Sequence, residues 1–422
     1  MIFTTGTSRD TERAHRARRR VLCVVAMAAM SAVACAGAPP AVKTPAATSS
    51  AAMTPAVRLP IPVNGIAVLG NQLVDGARVP MQLRGADRMG TEYACVQGWG
   101  VFGQPDGPGD QRTDAQKNDA TLAAMSRWNI NAVRVPVNED CWLGTKAGLN
   151  PRYTGVTYRN AITAWVNQIT AHGMVAIVDL HWSAPNGRLA TDQQPMADAD
   201  NSPAFWSDAA AVFKSNPNVI FDVFNEPYLD RDNGLIPDMA TAWRCWRDGC
   251  RLHVHSGETP MATTYQAAGM SELVAAIRQT GASNPIMLGG LSYAQNFSQF
   301  LNYLPTDPAH NLIASFHAYL GNDCGLDNNA CRSTIASLMT GVPLVTGEFG
   351  LNNCASPSEV TPANLATLND YLTFMDTHQG SYVAWTWTVP DPGCTGFSLI
   401  IDDDSGAPSP TGVIVRTHYQ AR

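Results

Sequence analysis

The chain has 422 residues, of which 45% are hydrophobic and 15% are charged, and its formal net charge is −7. This length allows one barrel-sized domain or two ordinary ones, each with a large apolar core. Basic residues cluster only at the amino terminus, so the acidic body is not expected to bind nucleic acid. No pattern in it indicates an obligate protein partner.

The first 35 residues have the pattern of an export signal. A basic stretch, Arg13 to Arg20, precedes an apolar run, Val21 to Ala38, that is short for a transmembrane helix of about 20 residues. Arg18-Arg19 fits a loose twin-arginine pattern, so either the general or the twin-arginine route would export the protein. Cys35 resembles a lipoprotein cleavage site, although Ala32 stands where Leu is usual. Lipidation at Cys35 and an uncleaved membrane anchor are the alternatives.

Residues 36–60 are rich in Ala, Pro, Thr and Ser and have no hydrophobic periodicity. Such a segment cannot bury enough apolar surface to order itself, so we expect a disordered linker. One folded domain is predicted over residues 61–422.

Eight cysteines fall in this domain, and an even number in an exported chain indicates disulfides. Closeness in sequence predicts the pairs Cys245–Cys250 and Cys324–Cys331. The remaining four cysteines are then assumed to pair as Cys95–Cys141 and Cys354–Cys394. A zinc site is not indicated, because no Cys-x-x-Cys pair or histidine cluster accompanies them.

Eight short apolar runs predict buried strands, and amphipathic stretches between them, several ending in glycine, predict helices. The runs begin at Met81, Ala132, Met174, Val219, Pro285, Leu312, Pro343 and Tyr382. Eight repeats of strand and helix predict an α/β fold, a (β/α)₈ barrel. A doubly wound open sheet is the alternative. It would need a glycine-rich phosphate loop after the first strand, which "LRGADRMG" does not provide.

Polar side chains lie on these runs near their carboxyl ends, where a barrel carries its chemistry. They are Arg134, His181-Trp182, Asn225-Glu226, His317, Tyr319, Glu348, Trp385 and Trp387. Each residue alone has a structural explanation, such as a core tryptophan or a buried ion pair. Their convergence on one mouth of the barrel favours a functional site.

Glu226 follows the fourth run and Glu348 lies in the seventh, so the two carboxylates are expected to face one cavity. Cleavage of a glycosidic bond needs such a pair, because one carboxylic acid protonates the leaving oxygen while the other carboxylate attacks the anomeric carbon or activates water. A separation of about 5–5.5 Å predicts retention of configuration, and about 6.5–9.5 Å predicts inversion. Trp385, and after it Trp182, would stack on the apolar face of a sugar.

The chain resembles glycoside hydrolase family 5, the cellulase family of retaining barrel glycosidases. The segments that carry the resemblance are, in order, "AVRVPVNEDCW", "DLHW", "FDVFNEP", "SFHAY", "VTGEFG" and "VAWTW". They span Ala132 to Trp387, which is most of the predicted domain. Six motifs in the family's order are far more specific than any one of them.

The resemblance implies roles for the matching residues. Glu226 would be the general acid/base and Glu348 the nucleophile. Asn225 would hydrogen-bond the 2-hydroxyl of the sugar at the cleaved bond. Arg134 would keep Glu348 ionised, and Tyr319 would donate a hydrogen bond to Glu348 and orient it.

The remaining motif residues would line the same subsite. His317 and His181 would tune the two carboxylates, and Trp385 would form the floor under the sugar. The family uses no metal or organic cofactor in catalysis, so none is expected here.

Two long loops follow the first and third strands, Gly90 to Gln111 and Trp182 to Phe205. The second is expected to bound the cleft, since long loops on a barrel commonly serve function. In the first, Glu92 and Tyr93 could contact sugar, but a disulfide-tethered surface loop is the stronger interpretation.

The sequence therefore predicts an exported enzyme that hydrolyses a β-linked polysaccharide or oligosaccharide, first of all an endo-β-1,4-glucanase. A β-mannanase is the alternative within the family. A carbohydrate-binding envelope protein without catalytic activity is the alternative of another class, and the presence of both glutamates argues against it.

Overall fold

The computed structural model describes residues 63–422 except 99, 103–112, 233, 258, 356 and 390–395. The predicted export signal, the linker and Cys35 lie outside the described residues. Among the described residues, no helix combines the length and the apolar character needed to cross a bilayer.

Eight parallel strands close into a barrel in which each strand pairs with the next along the chain and the eighth pairs with the first. In chain order they are Arg84–Asp87, Ala132–Asn138, Val175–Trp182, Val219–Asp222, Ile286–Gly289, Leu312–Ala318, Leu344–Phe349 and Ser381–Ala384. Each strand lies within or against one of the eight predicted apolar runs, so the predicted (β/α)₈ barrel is confirmed.

Helices surround the barrel and bury their apolar faces against it. The helices of ten or more residues are Asp114–Arg127, Val156–Ala171, Ser202–Phe213, Met239–Asp248, Met270–Gln279, Asn329–Leu338, Pro362–Thr377 and Pro410–Gln420. Shorter helical segments are Ala94–Gln97, Glu139–Leu143, Leu291–Ala294 and Phe300–Tyr303. The last long helix, Pro410–Gln420, follows the eighth strand, in a segment where a helix-poor tail would be expected from the sequence. This helix has a common type of N-cap, since the Ser409 side chain accepts a hydrogen bond from the Gly412 amide.

Side chains that point into the barrel change character along each strand. On the third strand Val175 and Ile177 belong to the inner apolar core, whereas the next residues on the same face, Asp179 and His181, are polar. The fourth strand repeats the pattern with Ile220 and then Asp222. The lower barrel is therefore an apolar plug, and polar groups accumulate toward the carboxyl ends of the strands.

Three two-stranded antiparallel sheets complete the described fold, and none of them was predicted from the sequence; the smallest pairs Ile400–Asp402 with Ala407–Pro408. The first, Ile66–Leu69 with Gln72–Asp75, adds Ile66 and Leu73 to the inner core and so covers the amino-terminal end of the barrel. The second, Arg251–Ser256 with Thr259–Gln266, follows the helix Met239–Asp248.

Three of the four predicted disulfides are present, and they tie loops to helices. They are Cys95–Cys141, Cys245–Cys250 and Cys324–Cys331. The fourth predicted disulfide, Cys354–Cys394, involves Cys394, which lies outside the described residues. The first bond fastens the loop after the first strand to the segment after the second, as expected for a disulfide-tethered loop.

Candidate active site

Arg134 is the centre of the polar cluster inside the barrel. Its side chain is fully buried, and four carboxylates from four different strands surround it. The contacts are Nε to Asp222 at 3.0 Å, Nη1 to Asp87 at 3.1 Å and to Glu348 at 2.8 Å, and Nη2 to Asp179 at 3.1 Å. Nη2 also donates to the Asn225 side-chain oxygen at 2.8 Å. Four of these contacts, to Asp222, Asp87, Glu348 and Asn225, are hydrogen bonds, and the contact with Asp179 is an ion pair.

Four carboxylates around one cation cannot all be ionised at low cost. Burial raises the pKa of Asp87 well above its usual value, by more than the nearby Arg134 lowers it. Burial likewise raises the pKa of Asp222 to about 7, against the charge of Arg134. Asp87 and Asp222 therefore bind a proton more readily than exposed aspartates do.

Glu348 is held through both carboxylate oxygens. Oε1 accepts from Arg134 Nη1 at 2.8 Å, and Oε2 accepts from the Tyr319 hydroxyl at 2.7 Å. Glu348 is 5% exposed, so a small part of it still faces the cleft. The edge of Phe397 packs on the Tyr319 ring, with centroids 5.2 Å apart. Together these contacts fix the orientation of the carboxylate.

Glu226 has a different environment. Its Oε1 lies 2.8 Å from Nδ1 of His317, and its side chain is 17% exposed. Burial raises the pKa of Glu226 to about 7, although the positive charge of His181 and a hydrogen bond with Gln193 lower it. Burial lowers the pKa of His317 to about 4, so this histidine is neutral at pH 7. Glu226 can therefore exist as acid or as base near neutrality.

Gly347 leaves the space that His317 occupies. A Cβ atom on this residue would lie 3.0 Å from His317 Nε2 and 2.9 Å from the Ser315 hydroxyl. The glycine in "VTGEFG" is thus explained by the close approach of the sixth and seventh strands.

One oxygen of Glu226, one oxygen of Glu348 and one ring nitrogen of His317 lie within 4.8 Å of one another. Two carboxylates and an imidazole could in principle ligate a cation. Here the ring nitrogen Nδ1 already lies at hydrogen-bonding distance from Glu226, and Arg134 and Tyr319 occupy the oxygens of Glu348. The local chemistry therefore favours two carboxylates that face each other across a gap.

His181 and Trp385 form the adjoining wall. Nδ1 of His181 lies 2.7 Å from Asp179, and the His181 ring stacks parallel to Trp385 with centroids 5.5 Å apart. Burial lowers the pKa of His181, but Asp179, followed by Glu92 and Glu348, outweighs it and raises the pKa to about 9. His181 is therefore a cation at pH 7, and Trp385 is partly exposed beside it.

Asn225 is oriented from two sides. Its Oδ1 accepts from Arg134 Nη2 at 2.8 Å, and its Nδ2 donates to Gln193 at 3.3 Å. This arrangement leaves the second N–H of the Asn225 amide for a ligand.

The other aromatic residues divide between cleft and core. Trp182 is partly exposed and meets the edge of Tyr93 at 5.0 Å, so both belong to the wall. Trp387 is fully buried and packs on Trp128 at 4.8 Å. Glu92, for which the sequence favours a structural role over a sugar contact, is fully buried, and one of its oxygens accepts from the Gly90 amide at 2.7 Å. Its position supports the structural interpretation of this residue.

A sequence model described as cellulase, glycosyl hydrolase family 5, matches residues 100–391. The chain belongs to this family. The match covers most of the described barrel and contains the Arg134, Asn225-Glu226, His317 and Glu348 positions.

Curated relatives of this family 5 chain are distant. An endoglucanase from Microbulbifer is 22% identical over 330 residues, which are 76% of this chain and 50% of the relative. Endo-β-1,4-glucanase A from Emericella nidulans is 27% identical over 343 residues, which are 75% of this chain and 87% of the relative. The chain spans about half the length of the first of these relatives.

Solved structures share the fold. A β-glucanase from Saccharophagus degradans is 16% identical with a TM-score of 0.57, and the match covers 86% of this chain and 94% of that one. A β-mannanase from Streptomyces thermolilacinus with mannohexaose is 18% identical with a TM-score of 0.53, over 84% and 95% of the two chains.

All eight residues expected in the site of this family 5 chain lie together at the carboxyl ends of the strands, and the structure adds four more. Asp87, Asp179 and Asp222 contact Arg134, and Gln193 reaches the site from the loop after the third strand. Sequence reasoning missed them. The three aspartates had a signal, because each stands in an apolar strand on the inward-facing alternate position. Gln193 had none.

Proposed function

We propose that the chain is an endo-β-1,4-glucanase that hydrolyses its substrate with retention of configuration. The observation that carries this proposal is the pair Glu226 and Glu348, whose nearest oxygens lie within 4.8 Å. Carboxyl groups about 5–5.5 Å apart fit direct attack on the anomeric carbon, whereas an inverting enzyme needs about 6.5–9.5 Å to admit water.

In the first step the Glu348 carboxylate attacks the anomeric carbon, and the bond from this carbon to the leaving oxygen breaks. Glu226, protonated, donates its proton to that oxygen. Glu348 suits the role of nucleophile because Arg134 and Tyr319 hold its oxygens at 2.8 Å and 2.7 Å. The pKa of Glu226, raised by burial to about 7, suits a group that must carry a proton near neutral pH.

In the second step Glu226, now a carboxylate, takes a proton from water, and the water oxygen attacks the anomeric carbon. The bond to Glu348 breaks and the sugar leaves with its original configuration. His317 supports both steps, because as a neutral imidazole it can donate to the carboxylate form of Glu226 or accept from the acid form.

The surrounding residues would hold the sugar. The free N–H of Asn225 is placed to donate to a 2-hydroxyl, a contact that strengthens in the transition state. Trp385 offers an apolar ring for the sugar face, and the His181 cation fixes the far side of that ring by stacking.

The substrate class and location belong to the same proposal. The named relatives are endoglucanases, which favours a β-1,4-glucan over mannan. A polymeric substrate requires an enzyme outside the cell, and the export pattern of residues 1–35 supports secretion or attachment to the envelope.

The proposal is tested by reducing-sugar release from carboxymethylcellulose, mixed-linkage β-glucan, mannan, xylan and laminarin. The control is Glu348→Gln, which keeps the shape of the side chain and removes the nucleophile. We expect the wild type to release reducing sugar from carboxymethylcellulose and mixed-linkage β-glucan, and the variant to release none. Release from mannan alone would make the protein a β-mannanase. Binding without release would make it a carbohydrate-binding protein.

A further inference from the structure

Gln193 joins the loop after the third strand to the segment that carries Glu226. Its side-chain Nε2 donates to the Glu226 backbone carbonyl at 2.7 Å, and its Oε1 accepts from Asn225 Nδ2 at 3.3 Å. Its own backbone carbonyl accepts from the Tyr228 hydroxyl at 2.9 Å. One glutamine therefore contacts three of the four residues from Asn225 to Tyr228.

We propose that Gln193 is a positioning residue that sets the orientation of Glu226 and Asn225 for catalysis. This inference rests on the function proposed above for these two residues. It assigns a catalytic contribution to a loop residue that belongs to no family motif in the sequence.

The segment that Gln193 contacts needs such support. The fourth strand ends at Asp222, so Asn225 and Glu226 stand beyond the regular ladder of the barrel. The Asn225 amide still donates to the Leu180 carbonyl at 3.1 Å, and the side chain of Gln193 supplies the partner for the Glu226 carbonyl. A backbone shift at this point would move the carboxyl of Glu226 relative to Glu348, and small misplacements of reacting groups cost large factors in rate.

The loop itself is well anchored, so it can serve as a fixed support. The next residue, Gln194, donates to the His255 carbonyl and accepts from the His255 amide, both at 3.0 Å. The hydroxyl of Tyr265 donates to the Met196 carbonyl at 2.7 Å. The loop is thereby clamped to the hairpin Arg251–Ser256 with Thr259–Gln266.

The two adjacent glutamines thus bind different parts of the structure. Gln193 binds the segment of the acid/base, and Gln194 binds the hairpin. Since they are the same residue type, one position apart on one loop, Gln194 is the matched control for Gln193.

The experiment compares wild type, Gln193→Ala and Gln194→Ala on two aryl β-cellobiosides, one with a dinitrophenol leaving group and one with phenol. A poor leaving group needs protonation by Glu226, whereas dinitrophenol leaves without it. Gln193→Ala is expected to lower kcat/KM by about tenfold for the phenyl substrate, the effect of one lost hydrogen bond of ordinary strength. The dinitrophenyl substrate should lose much less.

The pH profile gives an independent readout. The side-chain amide of Gln193 also lowers the pKa of the Glu226 carboxyl group, so its removal should move the alkaline limb of kcat/KM to higher pH. Because the bond from the Tyr265 hydroxyl to the Met196 carbonyl still holds the loop, Gln194→Ala should leave both this limb and the leaving-group dependence as in wild type. Gln193→Glu, which keeps the acceptor for Asn225 and loses the donor to the Glu226 carbonyl, should show the same leaving-group dependence as Gln193→Ala.

The result that overturns the inference is an equal effect of Gln193→Ala and Gln194→Ala on both substrates with an unchanged pH profile. If Gln193→Ala does not fold, Gln193→Glu decides the matter by the same comparison. A wild-type protein that cleaves neither cellobioside nor any polysaccharide would instead refute the proposed function.

Discussion

Replacing Arg134 by methionine tests the cluster that supports the nucleophile. Methionine has a similar length and no charge. The change leaves Asp87, Asp179, Asp222 and Glu348 inside the barrel without the cation that each contacts within 3.1 Å. Loss of one partner from a buried ion pair costs about 3–5 kcal/mol of stability. In a domain of this size that loss corresponds to a fall in Tm of roughly 4–7 °C.

The penalty should depend on pH. Without Arg134 the pKa values of Asp87 and Asp222 in the native state rise further, so the folded variant binds more protons than the folded wild type. Stability falls with rising pH wherever the native state binds more protons than the unfolded state. The difference in Tm between variant and wild type should therefore be larger at pH 8 than at pH 5.

Thermal unfolding followed by circular dichroism at both pH values measures this. Arg247→Met is the control, because Arg247 makes an exposed ion pair with Asp248 at 2.7 Å and exposed pairs contribute little. The reasoning is wrong if Arg134→Met lowers Tm no more than Arg247→Met, or if its loss in Tm is the same at the two pH values.

Three further predictions concern the acid/base, its electrostatics and the fold. Glu226→Ala should lower kcat/KM for phenyl β-cellobioside by about 10²–10⁴-fold and far less for the dinitrophenyl substrate, and a change of pH should not restore the activity on either substrate. Equal losses on the two substrates would contradict the acid role. His181→Asn removes a cation that lowers the pKa of Glu226, so the alkaline limb of kcat/KM should move to higher pH, and a limb that stays or moves down would count against it. Replacing Cys95 and Cys141 together by serine removes a bond across 46 residues and should cost about 2–4 kcal/mol in a denaturant titration, whereas an unchanged midpoint would show that this bond contributes nothing.

The barrel was predictable because burial on both faces makes parallel strands read as continuous apolar runs. "AVRVPV" and "VIFDVF" are such runs, and the one charged residue in each, Arg134 and Asp222, belongs to the polar cluster of the site. Arg134 was recognised through its motif, but Asp222 was not, although both sit on the inward face above an apolar residue. Alternation along each strand would have placed Asp87, Asp179 and Asp222 beside Arg134.

The loops were less predictable, for a physical reason. The partners of Gln193 are set by the tertiary path of the loop after the third strand, and no periodicity or spacing records that path. The hairpin Arg251–Ser256 with Thr259–Gln266 likewise depends on its packing against this loop. Such contacts arise from the assembled fold, so they became visible only in the structure.

The configuration of the first product tests the central claim most directly. Proton NMR of a cello-oligosaccharide digest, recorded in the first minutes, reports the anomer of the new reducing end before mutarotation. Hydrolysis through Glu348 as nucleophile and Glu226 as acid/base predicts that the β-anomer appears first and the α-anomer later. An α-anomer formed first would mean that water attacks directly, and it would contradict the two-glutamate retaining mechanism.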